Sequence, residues 1–134
     1  MYLKNVLSVF DGISCGRLAL DRAGIQYQQY FASEIDKDCL ELVSEKFPDT
    51  IQLGDVKNWR TWNLRDVDLI IGGSPCTGFS CAGNQLNFKD PQSVLFFSFV
   101  NLLKSYKPKF FLLENVKMRQ EWIEMISQYI GVEP

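Results

Sequence analysis

Leu69-Ile70-Ile71-Gly72-Gly73-Ser74-Pro75-Cys76 is the stretch on which the reading of the fold turns. Three apolar residues without polar alternation mark a strand covered on both faces, as in a parallel sheet. Two glycines, a serine and a proline then end the strand, and proline stiffens the approach to Cys76 by fixing φ. Similar short apolar runs occupy residues 5–10, 30–33 and 110–113, with a weaker one at 51–53. Helical spacing fills the gaps. Leu40, Val43 and Phe47 form one stripe; Leu95, Phe96, Phe99, Leu103 and Tyr106 a second; Trp122, Ile126, Tyr129 and Ile130 a third. All three are read as core-facing. Strand–helix alternation of this kind predicts an α/β fold: an open, doubly wound, Rossmann-like, mostly parallel sheet.

The 134 residues suit one domain, read here as spanning residues 1–134. A 46% hydrophobic, 22% charged composition belongs to a chain that can bury a core. The absence of histidine excludes a Ser-His or Cys-His hydrolase and any His-ligated zinc. The four cysteines, Cys15, Cys39, Cys76 and Cys81, fit no CxxC pattern, so no metal site is expected. The longest uncharged run, residues 69–88, is broken by Gly, Ser, Thr, Asn and Pro and does not read as a membrane span. No signal peptide is visible, and the expected location is the cytoplasm. A net charge of −2 is unlike that of a self-sufficient nucleic-acid binder.

In open α/β sheets ligands bind beyond the carboxyl ends of the strands. Each predicted strand here ends in polar, glycine or nucleophilic residues. They are Asp11-Gly12-Ile13-Ser14-Cys15-Gly16, then Glu34, Gly54-Asp55, Gly72-Gly73-Ser74-Pro75-Cys76 and Glu114-Asn115. The first turn is G-x-x-x-G and lacks the dinucleotide fingerprint, which argues against a nicotinamide-dependent redox domain. Taken singly, it is equally an ordinary strand–helix turn, Glu34 an acid near a helix start, Asp55 a turn aspartate and Glu114-Asn115 a strand-end turn. Together, Glu34 as an acceptor for ribose hydroxyls and Asp55 as an acceptor for an adenine amino group describe a nucleoside pocket without a phosphate cradle. S-adenosylmethionine (SAM) matches that description. Cys76, on the same edge and with no histidine to serve it, suits addition of a thiolate to an electron-poor ring while a carboxyl such as Glu114 handles the proton.

These elements, in this order, resemble the first six motifs of the DNA (cytosine-5)-methyltransferases. Phe10-Asp11-Gly12-Ile13-Ser14-Cys15-Gly16 is closest to the phage, bacterial and animal de novo forms, some from restriction-modification systems. The resemblance implies a SAM-dependent methyltransferase fold in truncated form. It implies that Cys76 attacks C6 of a flipped cytosine, that Glu114 contacts the N3/N4 edge, and that Asn115 positions Glu114 or the loop. It implies that Phe10 packs on adenine, that Gly12 and Gly16 admit the amino-acid portion, and that Glu34 holds the ribose. Asp55 would bind the adenine amino group, with Ile35, Val56, Pro75 and Leu95 lining the pocket. Residues 78–90 would form a loop closing over the base. Thr77 and Gln92 depart from residues common in relatives. The family also continues into a recognition region and a final segment that this sequence does not contain. DNA is therefore the expected partner when that part is supplied, by a missing C-terminal region or a second polypeptide. Otherwise the chain would be a non-catalytic SAM-binding fragment, and exposed apolar surface would favour self-association.

Overall fold

The computed structural model describes residues 1–73, 91–114 and 120–132. Among these residues five strands form one sheet: β1 (Tyr2–Val9), β2 (Gln26–Ser33), β3 (Ile51–Gln52), β4 (Val67–Gly73) and β5 (Phe110–Glu114). Their order is β3-β2-β1-β4-β5 and every pairing is parallel, so the doubly wound expectation holds. The order reverses between β1 and β4, the place where such sheets open a crevice for ligands.

Among the described residues four helices accompany the strands: α1 (Cys15–Arg22), α2 (Lys37–Lys46), α3 (Pro91–Tyr106) and α4 (Gln120–Ile130), with a 3-10 helix at Val56–Thr61. Asp36 caps α2, its carboxylate accepting from the backbone N–H groups of Asp38 and Cys39, both at 3.0 Å. Those N–H groups, the one on Cys39 foremost, hold the Asp36 carboxyl below the usual range. Pro91 begins α3, where a missing N–H costs nothing. Gly131, at φ 82°, closes α4 by donating to the Ser127 carbonyl at 2.7 Å.

The main core lies between the sheet and α3, where Leu7, Val9, Ile70, Phe99 and Leu102 are buried. Leu3, Val6, Leu20, Tyr30 and Leu69 form a second cluster. Of the predicted stripes, Val43, Phe96 and Phe99 are buried, Leu40, Phe47, Leu95, Leu103, Tyr106, Tyr129 and Ile130 are half-buried, and the side chains of Trp122 and Ile126 lie outside the described residues. Gly72 lets α3 approach: a Cβ there would sit 2.5 Å from Phe99 Cε2.

Two features depart from the sequence reading. β5 is not covered on both faces, because Phe110 and Leu112 are 48% and 58% exposed. A register shift between Asn5 and Val6 leaves Asp68 outside the ladder of β1 and β4. The Asp68 carboxylate instead accepts from the Lys4 backbone N–H at 2.7 Å and pairs with Lys109 at 2.9 Å. These contacts, the Lys4 N–H first, hold its carboxyl below the ordinary value.

Candidate functional site

The carboxyl ends of the strands share one edge, and a small cavity of about 160 Å³ lies there. Its walls are Phe10 after β1, Ser33, Glu34 and Ile35 at the end of β2, Asp55 and Val56 after β3, and Leu95 on α3. Six of these seven residues are among the predicted pocket set; Ser33 is not. Phe10, Ile35, Val56 and Leu95 supply apolar faces and Glu34 and Asp55 carboxylates, and among the described residues no cation lines the space.

The local backbone is held by hydrogen bonds that join the strand ends. Glu34 Oε1 accepts from the Gly12 N–H at 2.9 Å, and Oε2 accepts from its neighbour Ile35 N–H at 2.8 Å. Ser33 Oγ donates to the Gly54 carbonyl at 2.7 Å, and the Ser33 carbonyl accepts from the Asp11 N–H at 3.2 Å. Ser33 thus links all three loops that shape the cavity. The one signal for it in the sequence is a hydroxyl at the end of an otherwise apolar run, since a buried hydroxyl demands a partner. Asp55 Oδ1 accepts from the Lys57 N–H at 2.9 Å, so Asp55 both starts the 3-10 helix and faces the cavity.

The first turn is wound unusually. Phe10, Gly12 and Ser14 have φ of 54°, 58° and 62°. The left-handed region costs a non-glycine residue about 1–2 kcal/mol, so Phe10 and Ser14 need compensation. Ser14 occupies the N-cap of α1 but caps nothing with its side chain. Its hydroxyl donates instead to Asp11 Oδ2, and the Tyr30 phenol donates to Asp11 Oδ1 at 2.9 Å. Asp11 and Ser14 are buried in the turn, whereas Ile13 and Cys15 are exposed; none of the four lines the cavity. At Gly16 a Cβ would meet Ile71 at 3.4 Å and the Tyr30 oxygen at 3.5 Å, which is ordinary contact. The protein's own packing therefore does not demand glycine at 16.

On the other side of the switch point, Gly73 pairs in register with Glu114. A Cβ on Gly73 would lie 2.9 Å from Glu114 Oε2, so the carboxylate stands directly against the last residue of β4. Pro75, Cys76, Asn115 and the predicted loop at 78–90 lie outside the described residues.

Residues 4–121 match the C-5 cytosine-specific DNA methylase family. The chain belongs to that family. It is 40% identical over 114 residues to the orphan methyltransferase M.SPRI of Bacillus phage SPR, covering 84% of this chain and 26% of that protein. It is 36% identical over 115 residues to the type II methyltransferase M.NgoBV of Neisseria gonorrhoeae, covering 83% and 27%. The chain therefore spans about a quarter of the length of these relatives. Among solved structures, Schizosaccharomyces pombe Dnmt2 superposes with a TM-score of 0.69 at 20% identity, covering 98% of this chain and 39% of that one, a likeness of fold. A SAM-bound aminopentose methyltransferase from Micromonospora echinaspora shares the fold at a TM-score of 0.56 and 14% identity, over 86% and 44%. The methyl donor that goes with this C5 family is SAM. No helix among the described residues is long and apolar enough to cross a membrane.

Proposed function

We propose that residues 1–134 form the methyl-donor and nucleophile portion of a DNA cytosine-5 methyltransferase. The observation that carries this reading is the cavity where the carboxyl ends of β1, β2 and β3 converge. Its walls fit the nucleoside end of SAM. Apolar faces accommodate a flat base, and the carboxylates accept from hydroxyl and amino groups. At about 160 Å³ it is below the roughly 300–1,000 Å³ of whole-ligand pockets, so it matches one moiety of a ligand. Glu34 would hold the ribose, Asp55 the adenine amino group, and Phe10, Ile35, Val56 and Leu95 the ring, with Pro75 adding to the wall. The glycines at 12 and 16 would leave room for the amino-acid portion. Asp11, Ile13, Ser14 and Cys15 would serve as the frame of this turn.

The chemistry falls to Cys76 and Glu114. The Cys76 sulfur forms a bond to C6 of a cytosine turned out of the duplex, and the ring's electron pair moves toward C5 and N3. Glu114, set against Gly73 three residues before Cys76, holds a proton on N3, with Asn115 steadying it. When bound, SAM would supply an electrophilic sulfonium methyl group for the C5 carbon so activated, its sulfur–methyl bond breaking to leave the neutral demethylated thioether. Loss of the C5 proton to solvent then reforms the C5–C6 double bond and expels the Cys76 thiolate from C6, while the N3 proton returns to Glu114. The reaction would run in the cytoplasm of a bacterium or a phage-infected host. DNA recognition is assigned to the part of the relatives' length outside the match, acting as further chain or as a second polypeptide. Exposed Phe110 and Leu112 on β5 agree with such a covering, or with self-association.

The test is covalent trapping on DNA containing 5-fluorocytosine, with SAM and the C-terminal region of a relative supplied separately. Cys76→Ser should abolish trapping and keep SAM binding. Trapping that survives Cys76→Ser but is lost in Cys81→Ser would overturn the assignment.

A further inference from the structure

Tyr30 is among the largest fully buried side chains of the protein, 1% exposed in the middle of the sheet. Its ring packs with Leu3, Val6, Leu20 and Leu69, and the Arg17 guanidinium lies 5.4 Å from its centroid. None of that packing needs a hydroxyl; phenylalanine would satisfy it. The hydroxyl donates to Asp11 Oδ1 at 2.9 Å and is also hydrogen-bonded to the Ser8 side chain, and only the first of these bonds reaches the turn after β1. Ser8, also buried, lies beside the phenol. The second oxygen of Asp11 receives the Ser14 hydroxyl. Asp11 is thus a buried acceptor with one donor from the sheet and one from the start of α1. Burial and the Asp11 carboxylate both raise the Tyr30 phenol, keeping it a donor at any ordinary pH.

The turn so clasped is the one in which Phe10 and Ser14 both adopt left-handed backbone. Nothing intrinsic to phenylalanine or serine favours that conformation, so the surroundings must impose it. The same turn carries Phe10 into the cavity wall and presents the Gly12 N–H to Glu34. We infer that Tyr30 is a positioning residue for methyl-donor binding. Through Asp11 and Ser14 it locks the turn that sets Phe10 and Glu34 at the cavity, without touching the ligand itself. This rests on the reading of the cavity as the SAM site.

The test compares the 134-residue chain with Tyr30→Phe, Ser14→Ala and Leu69→Ala; the last loosens the same apolar cluster without touching the clasp. Two quantities are read well below the unfolding temperature. One is amide hydrogen exchange at Gly12 and Ser14, relative to amides within β1; the other is the Kd for SAM by calorimetry. Loss of a hydrogen bond to a buried charged group should speed exchange at these two amides about tenfold and raise the Kd about tenfold, in Tyr30→Phe and Ser14→Ala alike. Leu69→Ala should change neither selectively. The inference is overturned if Tyr30→Phe leaves the turn's exchange unchanged, or if Leu69→Ala accelerates it equally. It is also overturned if exchange rises while SAM binding stays at the wild-type value. A wild-type chain that binds no SAM would sink the reading of the cavity, and the exchange comparison would still decide whether the clasp exists.

Discussion

Gly72→Ala isolates the contact that seats α3 on the sheet. The added methyl would meet Phe99 Cε2 at 2.5 Å, Phe99 Cδ2 at 2.7 Å and Val9 Cγ2 at 3.0 Å. Ordinary carbon contacts begin near 3.5 Å, so the overlap approaches 1 Å. Relief is blocked because Phe99 is 0% and Val9 1% exposed, and both belong to the main core. The methyl must push α3 outward or force Phe99 off its rotamer, an overpacking cost of roughly 1–3 kcal/mol. For a domain of this size each kcal/mol lowers Tm by about 4 °C, so a fall of roughly 4–12 °C is expected. Urea unfolding followed by circular dichroism gives the same quantity as a shift in midpoint. Phe99→Leu, destabilising alone, should recover part of the loss when combined with Gly72→Ala, because the two side chains share one space. Gly73→Ala is the internal comparison. Its methyl meets a movable carboxylate oxygen of Glu114 at 2.9 Å, so it should cost well under the Gly72 change. A Gly72→Ala protein with an unaltered midpoint, or one less affected than Gly73→Ala, would refute the packing argument.

Asp68 has its carboxyl held below the usual 3.8 by the Lys4 N–H and Lys109. A depressed folded-state value means stability that is present above pH 3.8 and lost as pH falls through the folded value. Asp68→Asn should flatten that acid limb of the Tm-versus-pH curve; an unchanged limb would count against the bulge contact. Arg17 packs against Phe47, 4.8 Å from its centroid, and donates to Thr50, Tyr27 and both oxygens of Asp49. Since the Asp49 side chain is 74% exposed, losing the pair leaves no buried orphan charge on that side. Arg17→Met should therefore cost only about 1–2 kcal/mol by urea unfolding, mainly through the Thr50 and Tyr27 hydrogen bonds.

The fold was legible because a parallel sheet covered by helices needs uninterrupted apolar strands, and residues 5–10, 30–33 and 69–71 are such strands. What escaped the sequence follows from local exposure. β2 starts at Gln26, and its residues Gln26, Gln28 and Gln29 are exposed because β3 pairs only with Phe31 and Ala32. That half of β2 is effectively an edge, so it carries no apolar run. Phe10 looked like the end of the first strand, yet its positive φ turns it out of the strand and into the cavity wall. Phe110 and Leu112 read as core, but β5 has only β4 beside it among the described strands. The candidate site was legible through the rule that ligands meet strand ends, which places Glu34, Asp55 and Glu114 without any knowledge of packing. Its buried supports were not. Tyr30 and Ser33 sit inside an apolar run, and it is the folded arrangement that lets their hydroxyls tie the first turn and the loop after β3 to it.

The most direct measurement is calorimetric titration of the chain with SAM, with NAD as control, for the wild type and for Glu34→Ala and Ile35→Glu. Ile35 is 67% exposed at the cavity and has no packing role to lose. The account predicts binding of SAM and not of NAD, abolished by Glu34→Ala and weakened at least tenfold by Ile35→Glu with Tm unchanged in the latter. SAM binding that survives both substitutions at wild-type affinity would place the methyl donor elsewhere and contradict the account.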